Sequence, residues 1–334
     1  MRAAAIFGLG SSTRDLRPFQ HDSRVEWEVG QPAQSEGLDA ILVFGGDGTV
    51  HRHLAALVKV RLPVLIVPAG SGNDFARALG VLSLSDSVGA WRKFVGGAKN
   101  VRVVDLGVIT PLAVRDSYQR TPSGVPQHHP QGSRPQPLSS PANDSRPDTP
   151  YDSLGPSENR RSVYFSCVAG VGLDGEIARR ANSLPRCLRA HGGYALSLPA
   201  ALARFRPFDL KLSVTQGEPS EFCLRTQQPV VAAVFANTPV YGGGMRIAPK
   251  ARMDDGLLDV CVIRDMSKLK LLSVFPSVYL GKHLGIREVD YFSAERVRIE
   301  TDLPLDVYAD GEYVCPTPVE VGVLKNALHV VSPD

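Results

Sequence analysis

Two short stretches hold the residues best suited to chemistry. FGGDGT (Phe44 to Thr49) and PAGSGND (Pro68 to Asp74) each place glycines, a hydroxyl and a carboxylate directly behind an apolar run. Glycines let a backbone approach an anion closely, and a helix starting behind the loop offers unpaired N–H groups and a positive dipole end. Asp47 would repel a phosphate. A carboxylate in such a loop suits a magnesium ion or a hydroxyl about to lose its proton. Either loop alone is also a common Asp-capped strand-to-helix turn. Two of them on neighbouring strands converge on one crevice.

The elements that must position these loops are legible around them. AAAIF (Ala3 to Phe7), RVEWEV (Arg24 to Val29), AILVF (Ala40 to Phe44) and PVLIV (Pro63 to Val67) predict strands. AILVF and PVLIV are apolar on both faces, as parallel strands covered by helices are. Val50, Leu54, Leu57 and Val58 recur at helical spacing. A second helix is expected from Asn73-Asp74 through Leu79, closed by Gly80. Residues 1–108 therefore read as a doubly wound α/β domain, with ligands at the carboxyl ends of its strands.

From Val163 the pattern changes to short strands and turns, predicting an antiparallel β-sandwich over residues 163–334. Two helical stretches interrupt it, Gly192 to Phe205 and Lys268 to Leu280. Between the domains, residues 112–162 are poor in large apolar side chains, and ten of the 26 prolines lie between Pro111 and Pro156. Such a segment cannot bury enough surface to offset its ordering entropy, so it is expected to be a disordered insertion. Its His128-His129 pair reads as part of a polar tract rather than a metal site.

Bulk composition removes some functions. Lys+Arg 37 nearly cancels Asp+Glu 34, and a net charge of +3 argues against nucleic acid as a partner. The cysteines, Cys167, Cys187, Cys223, Cys261 and Cys315, form no CxxC and are expected to be reduced in a cytosolic protein. The N-terminal apolar run stops before Arg14, Asp15 and Arg17 and reads as a strand rather than a leader. No run approaches the ~20 residues that span a bilayer. Asn182 to Phe208 mixes Leu and Phe with Arg186, Arg189, Arg204 and Arg206. That could suit an anionic membrane surface, but amphipathicity alone is common and the favoured reading is a core helix with a solvated basic edge. Asp254-Asp255-Gly256 and Asp310-Gly311-Glu312 are hairpin turns by their own chemistry.

Taken in order, these blocks resemble the diacylglycerol kinase catalytic family, which includes sphingosine kinases and bacterial soluble lipid kinases. The resemblance runs through GGDGT, PAGSGNDFAR (Pro68 to Arg77), VDLG (Val104 to Gly107), GVGLDGEI (Gly170 to Ile177), the block from Gly242 to Val260, and DGE (Asp310 to Glu312). It implies a fold shared with NAD kinases and an ATP-dependent kinase acting on the hydroxyl of diacylglycerol or a related lipid alcohol. By the same resemblance, Gly45, Gly46, Asp47, Gly48 and Thr49 would surround the nucleotide with Ser71, Gly72, Asn73 and Asp74, and Glu26 would reach it from a strand end. Asp47, Asp74 and Asp105 would form an acidic network holding Mg²⁺ through water. Glu312, beside Asp310, would be the general base, a role that Asp47 fills by analogy with sphingosine kinases. A structural Mg²⁺ is implied at Asp255, the Leu257 carbonyl and the Arg252 position.

The implied partners are ATP and a lipid met at a membrane surface, with a homodimer left open. The expected location is cytoplasmic, peripheral at the inner face of the membrane. Three departures mark this chain. His51-Arg52 stands where the family has Asn-Glu. GLGSSTRDLR (Gly8 to Arg17) replaces an Asn-Pro-x-Ser-Gly loop, with Arg14 and Arg17 as substitute charge. Ser166-Cys167 replaces an Asn. Two alternatives stand beside the kinase reading. An NAD kinase shares GGDGT, but its later Asn-Glu segment has no good counterpart here. A nucleotide- or lipid-binding homologue that has lost activity is the other.

Overall fold

A computed structural model describes residues 1–32, 37–113, 162–183, 193–216 and 221–333. β1 (Arg2–Phe7), β2 (Glu26–Val29), β3 (Ala40–Gly45) and β4 (Val64–Pro68) form a parallel sheet in the order β2-β1-β3-β4. Alternation along β3 and β4 explains why both faces are apolar. Ile41, Val43, Val64 and Ile66 enter one core with Val50, Leu54 and Leu57 of helix α1 (Asp47–Val60). Ala40, Leu42, Phe44, Leu65 and Val67 enter the opposite core with Ala90 and Trp91 of α3 (Leu84–Val95). Each large aliphatic side chain so buried contributes roughly 1.5–3 kcal/mol. Helices on both faces make this half doubly wound, as expected.

The short helix α2 (Asp74–Ala78) follows β4 and ends before Gly80, whose φ of +81° is the left-handed conformation that favours glycine there. The sequence reading did not anticipate α3, although Leu84, Val88, Trp91 and Val95 recur there at helical spacing behind the Ser83 cap.

The second half is antiparallel. β5 (Val101–Pro111) pairs with β6 (Val163–Phe165) on one side and with the last strand, β15 (Val319–Val331), on the other. β7 (Val168–Gly172), β8 (Phe208–Gln216), β9 (Glu221–Ala236), β10 (Leu258–Arg264) and β11 (Val289–Ala294) continue the sandwich. So do β12 (Arg296–Thr301), β13 (Asp306–Ala309) and β14 (Glu312–Pro316). Phe165, Leu210, Phe235, Val260, Ile299 and Val321 are part of its fully buried core. The end of β15 reaches the parallel sheet, where Val330 pairs with Val64 of β4.

α4 (Leu173–Ser183), α5 (Gly193–Arg204) and α6 (Lys268–Tyr279) lie outside the sandwich core, and a separate apolar cluster lies beneath them. α5 and α6 fall where the sequence predicted helices; α4 and β11 were not anticipated. Most of the expected insertion, residues 114–161 with His128-His129, lies outside the described residues. Its flanks are joined: Ile109 pairs with Val163, and the Thr110 and Ser162 hydroxyls are 2.9 Å apart. Arg186, Arg189 and Cys187 also lie outside the described residues. Cys167, Cys223, Cys261 and Cys315 are free thiols. Among the described residues, no helix is long and apolar enough to cross a membrane.

Candidate active site

The two glycine loops meet at the carboxyl ends of β3 and β4, touching one another. A Cβ on Gly46 would lie 2.4 Å from the Gly72 carbonyl oxygen, and one on Gly70 would lie 2.4 Å from the Gly46 Cα. Bonds from the Asp47 N–H to the Gly72 carbonyl at 3.3 Å and from Ala69 to Gly45 at 3.1 Å complete the contact. The glycines thus serve loop-on-loop packing first, a reason that residue types alone do not reveal. Gly45 has a similar duty, because the Thr49 side chain packs against it and against Gly8.

Asp47 bridges the loops. It is the first residue of α1, yet its carboxylate caps α2: Oδ2 accepts the Asp74 N–H and Oδ1 the Phe75 N–H, both at 3.0 Å. Burial pushes its pKa from 3.8 up to about 7, with the Asp74 and Asp310 charges adding to the rise and the two N–H bonds opposing it. Asp74 is itself buried, pairs with Arg77 and accepts the Gly243 N–H at 3.1 Å. Burial also raises the Cys167 thiol well above its usual range, and Asp310, Asp47 and Asp74 all contribute. Asp47, Asp74, Asp310 and Cys167 all border one cleft.

The third wall is the turn from β13 to β14. Asp310 sits at φ 50° and Gly311 at φ 86°. The strain at Asp310 is held by its carboxylate: Oδ2 accepts the Ser166 N–H at 2.8 Å and hydroxyl at 3.0 Å, and Oδ1 accepts the N–H groups of Cys167 at 2.8 Å and Val168 at 3.2 Å. His51 of α1 adds a further bond, Nδ1 to Oδ2 at 3.3 Å. Glu312 then stands over the first turn of α1, where a Cβ on Gly48 would lie 2.8 Å from its Oε1. Glu312 is exposed and lines the cleft.

The resulting cleft has a volume of about 460 Å³. Gly46, Asp47, Gly48, Thr49, Ser71, Gly72, Asp74, Asp310 and Glu312 border it, so the structure brings most of the sequence-predicted residues together. Asn73 stands behind the loop instead, its side-chain amide spent on the Gly70 N–H at 3.0 Å and carbonyl at 2.9 Å. Glu26 is not brought to the site. It opens β2 opposite Arg2 of β1, at the amino end of the parallel strands, whereas the cleft lies at their carboxyl end. Arg14 and Arg17 lie on a 3₁₀ turn and do not border the cleft, which instead gains Arg52 and Arg77.

Asp105 is not among the residues that border the cleft. Its carboxylate accepts the Gly256 N–H at 2.8 Å and the Asn326 N–H at 2.7 Å, binding the 253–257 turn to β15. Around that turn, Asp255 is exposed and accepts the Leu257 N–H at 3.1 Å, while the Arg252 guanidinium pairs with Asp254. Among the described residues, no group of three or more His, Cys, Asp or Glu side chains forms a metal cage. The Asp255 carboxylate with the Leu257 carbonyl, as the resemblance implies, would be the oxygen-only set that a hard cation accepts. In the cleft, Asp47 and Asp74 border the same wall, and a divalent cation there would offset both the burial of the Asp47 charge and its repulsion by Asp74.

Sequence reasoning missed a second cavity. α4, α5 and α6 cover a narrow apolar space lined by, among others, Ile177, Leu198, Leu271, Val274 and Phe275. Its polar end holds Asp174, whose carboxyl burial raises to about 6 and whose partner is the Tyr241 hydroxyl. Tyr241 borders both the cleft and this cavity. The walls come from distant segments, so no local motif announces them; Asp174 in GVGLDGEI was the available signal.

Residues 13–109 match the model of the diacylglycerol kinase catalytic domain, and residues 167–332 that of the YegS C-terminal NAD kinase beta sandwich-like domain. A diacylglycerol kinase of Mycobacterium tuberculosis is 29% identical over 313 residues, covering 94% of this chain and 82% of that protein. One from Bacillus subtilis is 23% identical over 301 residues, covering 88% and 78%. The crystal structure of a diacylglycerol kinase from Bacillus anthracis shares the fold, with a TM-score of 0.60 at 18% identity over 99% of this chain and 96% of that one.

Proposed function

The chain belongs to the diacylglycerol kinase catalytic family and is a lipid kinase, and we propose that it transfers the γ-phosphate of ATP to the hydroxyl of diacylglycerol or a related lipid alcohol. The observation that carries this reading is Tyr241, the wall shared by the acidic cleft and the apolar cavity. A lipid with its chain in the cavity would bring its hydroxyl past Tyr241 toward Glu312.

The residues divide the work. The α1 N-terminus and the 46–49 and 71–72 backbone cradle the phosphates, with Arg52 and Arg77 supplying positive charge at the cleft wall. Mg²⁺, when bound on the Asp47–Asp74 side, supplies neutralisation of charge at the β- and γ-phosphates. Glu312 takes the proton of the lipid hydroxyl as the new O–P bond forms and the bond from the γ-phosphorus to the bridging oxygen breaks, releasing ADP. Asp47 keeps the two loops in register through the Asp74 and Phe75 amides. Asp255, the Leu257 carbonyl and the Arg252 position would hold the structural cation against the turn that Asp105 anchors. Contact with the inner membrane face follows from the acceptor, which resides in the bilayer.

The test is incubation of purified protein with γ-labelled ATP, Mg²⁺ and diacylglycerol in mixed micelles. Labelled phosphatidic acid in the wild type, lost in Glu312→Ala, supports the reading. No labelled lipid from any acceptor in a broad extract contradicts it.

A further inference from the structure

We propose that His51 is a positioning residue that fastens helix α1 to the Asp310–Glu312 turn and so sets where the base stands over the phosphate loop. The proposal rests on the kinase reading above, with Glu312 as proton acceptor. His51 and Arg52 stand where the resemblance expects Asn-Glu, and Arg52 borders the cleft while His51 turns inward. The His51 side chain is 12% exposed and faces an Asp310 side chain that is 0% exposed.

Three placements make the contact more than a surface pair. His51 follows Asp47 by four residues on α1, so both project from one face of the helix, one turn apart. Gly48, in the same first turn, leaves the space that Glu312 occupies. α1 therefore meets the turn twice, through Gly48 under Glu312 and through His51 on Asp310. The carboxylate, when ionised, only accepts, so the 3.3 Å contact puts the imidazole proton on Nδ1.

A residue of the sandwich converges on the same atom. The Ser166 N–H and hydroxyl both donate to Asp310 Oδ2. His51 and Ser166, 115 positions apart in this numbering, thus share one oxygen. Ser166 holds Asp310 to the sandwich, and His51 holds it to the α/β half. Of these bonds, the His51 bond is the one that joins the catalytic turn to the phosphate-loop helix.

The experiment compares His51→Ala, His51→Asn and His51→Gln in Mg²⁺-dependent lipid phosphorylation, with ATP-analogue affinity and melting temperature measured on each. Asn places an amide N–H near the Nδ1 position, whereas Gln reaches to the Nε2 position. A misplaced base costs roughly tenfold to a hundredfold. His51→Ala is therefore expected to lose that much in kcat, with the analogue Kd changed less than about twofold. His51→Asn restores kcat to within about threefold and His51→Gln does not, a distinction that a loss of folding would not produce. An active wild type with His51→Ala at wild-type kcat overturns the proposal alone, as does equal rescue by Gln and Asn. A wild type that phosphorylates no lipid overturns the kinase reading and the proposal together.

Discussion

Asp47 and Asp74 face each other across the two glycine loops, and the Asp47 carboxylate accepts the Asp74 main-chain N–H at 3.0 Å. One carboxylate thereby both caps α2 and stands in the cleft, which gives it a titration that can be followed. Its folded pKa, about 7, lies above the 3.8 of an unperturbed aspartate, so the folded state binds the proton more tightly. The stability it contributes is fully present below the unfolded value and is lost as pH rises through about 7. Carboxyl ¹³C NMR of the apo protein should show an Asp47 midpoint near 7, moving down when Mg²⁺ is added. A midpoint near 4 with or without Mg²⁺ would contradict the burial and the neighbouring charges that raise it.

Glycine substitutions separate loop packing from backbone freedom. Gly70→Ala puts a Cβ 2.4 Å from the Gly46 Cα, backbone that cannot swing aside. It should destabilise by about 1–3 kcal/mol and weaken nucleotide binding. Gly89→Ala, in the exposed middle of α3 with nothing within 4 Å of the new Cβ, should stabilise by up to about 1 kcal/mol. Chemical denaturation of both variants checks the pair; equal effects would contradict it.

These loops show how far the sequence carries. The two apolar strands and the Gly-Asp turns behind them place the cleft, because a parallel strand buried on both faces must end at a loop. What fails to show is anything decided by long-range pairing. Glu26 looked like a nucleotide contact because its strand was legible, but its end of the strand was not: only pairing with Arg2 reveals it. Asp105 looked like a partner of Asp47, yet its bonds go to Gly256 and Asn326, far along the chain. The apolar cavity was illegible for the same reason.

The cavity offers its own test. Val274→Trp on α6 fills space between the helices while leaving the cleft walls untouched. Transfer to long-chain diacylglycerol should fall by about tenfold or more, with ATP-analogue affinity unchanged. Transfer to a short-chain acceptor should be spared. An equal loss for both acceptors would separate the cavity from lipid binding.

The turn at Asp255 predicts a cation effect on stability rather than on turnover. If a hard cation binds there, EDTA should lower the melting temperature of the wild type, and Mg²⁺ should restore it. Asp255→Ala should melt at the EDTA value under both conditions. A wild type indifferent to EDTA would contradict the site.

The central claim, that the acidic cleft and the apolar cavity are two ends of one lipid-kinase site, is tested most directly by mass spectrometry of a total lipid extract. The extract is incubated with the protein, γ-labelled ATP and Mg²⁺. The predicted result is one class of labelled lipid phosphate from the wild type, absent with Glu312→Ala although that variant binds nucleotide normally. ATP bound with no lipid phosphorylated, or undiminished transfer by Glu312→Ala, would contradict it.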